Sequence, residues 1–353
     1  MTSSGSGVRR RLRTLRNRAL RGVAPIVGRL VAGLPRGGAI ERFLLARTWG
    51  ALPADMLDAY LVSGYQNPRI NVQSILLRHF LLRRLFGDEF EQLMDEELRF
   101  AIELNEVLRT RAAELGVRIG SYVDPEKFAG VQRVDEAIRD REREMVDRWR
   151  ATLEGRSAGP ISVLELACGS ANDYRAFVEC GLADFLVYRG IDLTSKNVEN
   201  ARRRFPGVRF EVGDVRNVFG ADASVDYVIA SDIFEHLSIE GMEAALGEAM
   251  RLARRGLALT FFSMADVAEH EVRPERIYFR NVLSRARIEE RLRSAFARVE
   301  VVPIARWLAD RYGYRHTYNT HAFSIFAQRD AAHDPFARGR PVDSSPPGSQ
   351  TRG

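Results

Sequence analysis

Lysine is almost missing from this chain of 353 residues: only Lys127 and Lys196 occur, so 51 of the 53 basic residues are arginines. Such a bias reads as the codon usage of a GC-rich bacterial genome and assigns no function. Cysteine is as scarce. Cys168 and Cys180 are too few to staple a chain of this length and form no C-x-x-C pair. A disulfide scaffold and a cysteine metal knuckle are excluded, and a reducing, cytoplasmic setting is expected. No apolar run near the N-terminus reaches the roughly 20 residues of a membrane span. The candidate there, Gly22 to Leu34, is broken by Pro25 and Arg29 and suits neither a spanning helix nor the apolar core of a signal peptide. A dinucleotide-binding G-x-G-x-x-G is lacking too, since Ala171 and Tyr174 stand where the second and third glycines would follow Gly169.

Hydrophobic residues at 45% and charged residues at 28% are globular proportions, enough for one large domain or two ordinary ones. Charge is spread unevenly. The net charge is +6, yet the first fifty residues set eleven arginines against Glu41 and carry +10, which leaves −4 for the rest. A body of that sign does not track nucleic acid phosphates, and no nucleic acid partner is expected. Within the arm, Arg9, Arg10, Arg11, Arg13, Arg16, Arg18 and Arg21 precede Val23, Ile26, Val27, Leu30, Val31 and Leu34. Residues 9–34 are therefore either a solvated tail or a peripheral contact for an anionic membrane or acidic partner.

Four regions follow from composition and period: a basic arm (1–50), a helical region (51–155), a region of alternating strands and helices (156–330) and a Pro-, Gly- and Ser-rich tail expected to be disordered (331–353). In the second, Ile75, Leu76, Leu77, Phe80, Leu81, Leu82, Leu85 and Phe86 predict a mostly buried helix. Phe90, Leu93, Met94, Leu98, Ala101 and Ile102 predict a more exposed one. Asp124-Pro125 reads as a helix start, and Val134 to Leu153 as a solvated helix. In the third, strands are expected at Ile161–Ala167, Phe185–Leu193, Val208–Val212, Val225–Ala230, Leu257–Phe262, Val299–Ile304 and Ala322–Gln328, with helices between most of them. The fold class is α/β, a doubly wound, mostly parallel sheet preceded by a helical region, with its ligand at the carboxyl ends of the strands.

The sharpest local signal is Val163-Leu164-Glu165-Leu166-Ala167-Cys168-Gly169-Ser170-Ala171-Asn172-Asp173, a strand turning through small residues into a helix. Small residues let backbone amides approach a ligand, and the helix N-terminus favours an anionic group. Asp192 ends the second strand, Asp214 the third, and Ser231-Asp232 the fourth. Each acid alone is an ordinary turn or helix cap. Three acids at successive strand ends make one edge of the sheet a candidate site.

On these residues the segment 161–328 resembles the class I S-adenosylmethionine-dependent methyltransferases, through LELACG, GIDL, EVGDV, VDYVIASDIFEHL and RLARRGLALTFF. The resemblance implies a seven-stranded sheet whose last strand runs antiparallel beside the fifth, and S-adenosylmethionine as cofactor. It places Glu165 and the loop of Ala167, Gly169 and Ala171 on the methionine part, Asp192 on the ribose, Asp214 on the adenine amine, and Leu193 and Val215 on the adenine faces, with Ser231 beside them. Alanines 167 and 171 replace the outer glycines of the family's E/D-x-G-x-G-x-G.

Methyl transfer asks the protein mainly for geometry and, at most, for a base. His236, after the fourth strand, is the candidate base; the plainer reading is a capping or packing histidine. Two clusters are candidates for the acceptor: Asp266, Glu269, His270, Glu271, Arg273, Arg276, Tyr278 and Phe279, and Trp307, Arg311, Tyr312, Tyr314, Arg315, His316 and Tyr318. The neighbours Glu235-His236 and His270-Glu271 do not by spacing establish a metal site, and none is expected. The function expected is methyl transfer to oxygen of a small-molecule or glycan acceptor, with residues 51–155 as a cap or acceptor-binding region. A protein methyltransferase and a non-catalytic interaction module with a membrane- or partner-binding arm remain alternatives. Residues 229–234 read IASDIF, without the N/D-P-P-Y of base amino-methylases.

Overall fold

The computed structural model describes residues 71–114, 143–275, 278–316 and 319–329. The arm, the tail and the Asp124-Pro125 helix start lie outside them. Helix α1 (Val72–Phe86) begins where the Asn71 side chain accepts from the amides of Gln73 and Ser74 at 2.9 and 3.3 Å, and it stops at Gly87, whose φ of +72° suits a residue without Cβ. Helices α2 (Glu91–Glu114) and α3 (143–153) follow. No helix among the described residues is long and apolar enough to cross a membrane.

From residue 161 onward strands and helices alternate: β1 (Ile161–Leu166), α4 (Asn172–Glu179), β2 (Leu186–Asp192), α5 (Ser195–Arg204), β3 (Arg209–Val212), β4 (Val225–Ser231), α6 (Ile239–Leu252) and β5 (Ala253–Phe261). Then come the two-residue strands β6 (Met264–Ala265) and β7 (Leu283–Ser284), helix α7 (Arg285–Arg293), β8 (Arg298–Pro303), α8 (Ile304–Tyr312) and β9 (Phe323–Gln328). The seven-stranded sheet has the order β3-β2-β1-β4-β5-β9-β8, parallel except for β9, which is antiparallel to both neighbours. Strand order reverses between β1 and β4, the place where a crevice opens at the carboxyl edge of such sheets.

Side chains alternate between two cores. In β4, Tyr227 and Ile229 join the cluster on one face, Val228 and Ala230 that on the other. The first cluster contains α1, α2 and α3 as well as α4 and α5. Phe80 of α1 stacks on Phe326 of β9 at 5.2 Å and meets Tyr227 edge-on at 5.5 Å. The described part of the helical region thus shares a core with the sheet and covers one of its faces.

Two elements differ from the sequence reading. Strand β5 starts at Ala253, four residues early, because Arg254 and Arg255 point outward from an edge that the apolar count ignored. The connection expected between β8 and β9 holds helix α8, with Ile304 and Leu308 buried. There Tyr312 donates to Asp95 of α2 at 2.9 Å, and the Arg311 guanidinium lies over Trp307 at 5.6 Å. These members of the second acceptor cluster thus clasp α8 to α2.

A buried charge group joins α1 to α2. Arg78 pairs with Glu97, and His79 Nε2 lies 2.7 Å from the other Glu97 oxygen, its ring 4.8 Å from Trp149. Burial alone would raise the Glu97 carboxyl, but the Arg78 charge and the His79 contact outweigh it and hold it below its usual value; burial holds the His79 imidazole below its own. Glu97→Gln takes the paired carboxylate away from the buried Arg78 guanidinium and should cost about 3–5 kcal/mol in denaturant unfolding. As pH falls through about 6.5 the unfolded chain protonates His79 before the folded one does, and through about 4.5 it does the same at Glu97. Stability should fall across both windows, and the lower one should vanish in Glu97→Gln.

Candidate active site

The crevice is built where β1, β2 and β4 end in register, Leu166 opposite both Ile191 and Ala230. After β1 the chain turns through Ala167 (φ +56°), Gly169 (φ +54°) and Ala171 (φ +65°) before α4 begins. All three lie in the left-handed region, where an added Cβ is unfavourable. Both alanines are thus strained in the conformation that glycine adopts freely. Gly190 of β2 is required for a different reason: a Cβ there would stand 2.8 Å from Cys168 Sγ and 2.9 Å from Phe210.

Asp192, at the end of β2 and buried, is the anchor of the turn. Its Oδ2 accepts from Gly169 N at 3.0 Å, and its Oδ1 from Thr194 N at 2.8 Å and Asn197 Nδ2 at 3.1 Å. Oδ2 keeps a lone pair for a further donor. Leu193 beside it is 69% exposed, whereas Val215 is buried. Asp214 is gripped by its own neighbour: the Arg216 guanidinium bonds both carboxylate oxygens, at 2.6–3.1 Å, and this holds the carboxyl below its usual value. An adenine amine reaches Asp214 only if Arg216 swings aside.

Glu165 and Asp173 lie deeper. Tyr188 donates its hydroxyl to Glu165, whose carboxyl is pushed well above the usual range by burial and by the nearby Asp173. Asp173, in the first turn of α4, accepts from Ser74 of α1 at 3.0 Å and from Ser231 of β4 at 3.1 Å, and burial raises it as well. The start of α1 reaches this edge a second time through Gln73, whose amide donates to the carbonyls of Phe261 and Phe323. Asp173 carried a weak sequence signal, an acid at a helix start; its partner Ser74 carried none.

Beyond β4 and β5 lies a cavity of about 750 Å³ lined by Asp232, Glu235, His236, Phe262, Arg273, Tyr278, Arg280, Asn319 and His321 among others. The His236 ring meets Tyr278 edge-on at 5.6 Å, and its Nδ1 lies 3.0 Å from the Phe279 carbonyl. A carbonyl only accepts, so Nδ1 is the donor in this contact and Nε2 is the ring nitrogen left for another partner. Buried Asn281 ties the overlying loop to this turn, donating to Leu237 O at 2.8 Å while its side-chain oxygen accepts from Arg273 N at 3.0 Å. Of the first acceptor cluster, Glu271, Arg273 and Tyr278 line the cavity. Asp266 and Glu269 are instead paired with Arg285 and Arg287, and His270 accepts from Ser284 N at 3.0 Å. Arg276 and Tyr318 lie outside the described residues. No group of three or more metal-ligating side chains occurs among the described residues.

Residues 163–256 match the family model of a methyltransferase domain. The chain carries an S-adenosylmethionine-dependent methyltransferase domain. Solved structures similar to it include the complex of the Haloferax volcanii Trm112 activator with a methyltransferase, 18% identical, covering 55% of this chain and 92% of that one at a TM-score of 0.37. Others are the 1,6-didemethyltoxoflavin-N1-methyltransferase of Burkholderia thailandensis (17%, 55% and 82%, 0.37) and the magnesium protoporphyrin IX methyltransferase of Synechocystis PCC 6803 (22%, 56% and 83%, 0.34). No curated protein matches the chain significantly. S-adenosylmethionine is the cofactor of this domain, and the residues present fit it. A glycine-centred turn leaves open space above Gly169, an apolar Leu193 stands exposed beside a strand-end carboxylate, and buried acids wait without a cation.

The methyltransferase turn itself is testable through its alanines. Ala167→Gly relieves a left-handed alanine at a half-buried position and should raise stability by about 0.5–1 kcal/mol in urea unfolding. Ala171→Gly relieves the same strain but deletes a fully buried methyl, worth about 0.8 kcal/mol, and should change stability little.

Proposed function

We propose that the protein methylates a hydroxyl oxygen of a small-molecule or glycan acceptor held in the cavity beyond β4 and β5. The observation that carries this reading is the cavity itself. Its volume of about 750 Å³ suits a small ligand, and its wall includes Asp232, which follows the Ser231 that bonds Asp173 at the strand-end edge. Glu165, Ala167, Gly169, Ala171 and Ser231 hold the methionine part of the cofactor, Asp192 the ribose, and Leu193 and Val215 the adenine, with Asp214 reached once Arg216 moves. The cofactor's sulfonium supplies an activated methyl group. His236, its Nδ1 proton committed to Phe279, takes the acceptor's hydroxyl proton on Nε2. Arg273, Tyr278 and Arg280 wall the cavity, and Asn281 ties Arg273 to the turn after β4.

Isothermal calorimetry with S-adenosylmethionine is the direct test. Asp192→Ala should weaken binding tenfold or more, the value of one charge-assisted hydrogen bond or slightly more, while Asp232→Asn should leave it nearly unchanged. Absence of binding at millimolar cofactor, or equal losses in the two variants, would remove this reading.

The basic arm lies outside the described residues, and we propose that it rests peripherally on anionic membranes from the cytoplasmic side. Each arginine near such a surface contributes about 1 kcal/mol, screened by salt. The full chain should cosediment with phosphatidylserine vesicles at low salt and leave them at high salt. A chain beginning at Ala51 should stay in solution throughout; equal cosedimentation would sink the proposal.

A further inference from the structure

Two carboxyl oxygens in the wall of the acceptor cavity have no partner. The Asp232 side chain finds no hydrogen bond among the described residues, and its Oδ1 is shut off from solvent. Glu235 is fully buried: the amides of Phe262 and Ser263 pin Oε1 at 2.6 and 3.2 Å, and Oε2 is left with nothing. Buried polar atoms of this kind are rare in folded proteins, and each one calls for a reason.

Backbone geometry fixes Asp232 where it stands. Its φ is +53°, uncommon for a residue with Cβ, and its amide donates to Thr260 O at 3.1 Å. Strain of this sort persists only where the surroundings over-determine it. Burial, then the charge of Glu235 and that of Asp173, pushes the Asp232 carboxyl well above its usual range, and burial raises Glu235 too. Desolvation that raises both carboxyls favours their protonated forms, and a protonated carboxyl offers a donor beside its acceptors, which is what a hydroxyl requires. An ammonium group, all donors, is served by the ionised form that burial disfavours.

We propose that Asp232, backed by Glu235, is a second docking point in the acceptor cavity, which binds a hydroxyl adjacent to the one that His236 faces, so that the acceptor is a vicinal diol. Asp232, Glu235 and His236 belong to one tight turn, with 236 closing a short 3-10 helix, so two neighbouring hydroxyls span the turn where a single one does not. The inference rests on the cavity's being the acceptor site.

The test uses the full chain saturated with S-adenosylhomocysteine, with binding of that ligand followed by calorimetry in the same samples. Saturation-transfer NMR then compares cis-1,2-cyclohexanediol, cyclohexanol and cyclohexylammonium, with methyl glucoside as a sugar diol. Both diols should bind at least roughly threefold more tightly than cyclohexanol, and cyclohexylammonium should not bind. Asp232→Asn, whose asparagine tolerates the left-handed backbone, and Glu235→Gln, which keeps an acceptor for the Phe262 and Ser263 amides, should each erase the diol preference without changing homocysteine-ligand affinity. A diol preference confined to one of the two diols would still support the proposal and would say whether a ring or a sugar is favoured. Cyclohexylammonium binding as tightly as the diols, an unchanged preference in both variants, or no diol binding while the homocysteine ligand binds would overturn it. Failure of the homocysteine ligand to bind would instead remove the methyl-transfer reading on which it stands.

Discussion

Carboxyl groups stripped of water at one edge of a sheet are the constraint around which this molecule is arranged. Glu165, Asp173 and Glu235 are buried there, with Asp232 beside them, and no lysine or arginine forms an ion pair with any of them among the described residues. Hydroxyls and amides do what cations do elsewhere: Tyr188 for Glu165, Ser74 and Ser231 for Asp173, the Phe262 and Ser263 amides for Glu235. An edge so built is expensive while empty. Asp192 stands apart, bonded through both oxygens to Gly169, Thr194 and Asn197, and so shapes the turn before it is engaged with anything else.

The helical region meets this edge and also the sheet's face. Ser74 and Gln73, on the first turn of α1, reach Asp173 and the ends of β5 and β9, while Phe80, further along, fills the face between β4 and β9. Changes in α1 therefore act on the site by two routes, one polar and one through packing. The Arg78–Glu97–His79 group fixes the rotation of α1 against α2, which keeps Ser74 pointed at Asp173. That group is costly to bury, and its retention is consistent with a need for orientation more than for stability.

Much of this was legible in the chain. Strand ends could be read because an acid follows an apolar run at Asp192, Asp214 and Asp232, and strand order followed once the motif pattern was recognised. The left-handed backbone at Ala167 and Ala171 was not, because alanine there hides the conformation that glycine would have announced. Nor was helix α8, where a run of Arg and aromatic residues looked like ligand-binding chemistry and turned out to clasp two helices. Asn281 and Ser74 gave no signal at all: their partners lie 44 and 99 residues away, and nothing local distinguishes such residues from any surface asparagine or serine.

Distance along the chain has a further meaning at α1. Gln73 bonds Phe323 across 250 residues, and Arg84 bonds Gln328 across 244. The helix is thus completed by a strand made some 250 residues after it. During synthesis α1 leaves the ribosome with its apolar face uncovered and waits for β9, which sits between β5 and β8 and closes the sheet. Chains with contacts of such long separation fold slowly, and exposed apolar helices are the species that chaperones and aggregates compete for. Assembly of the core between α1 and the sheet is deferred until β9 has been made.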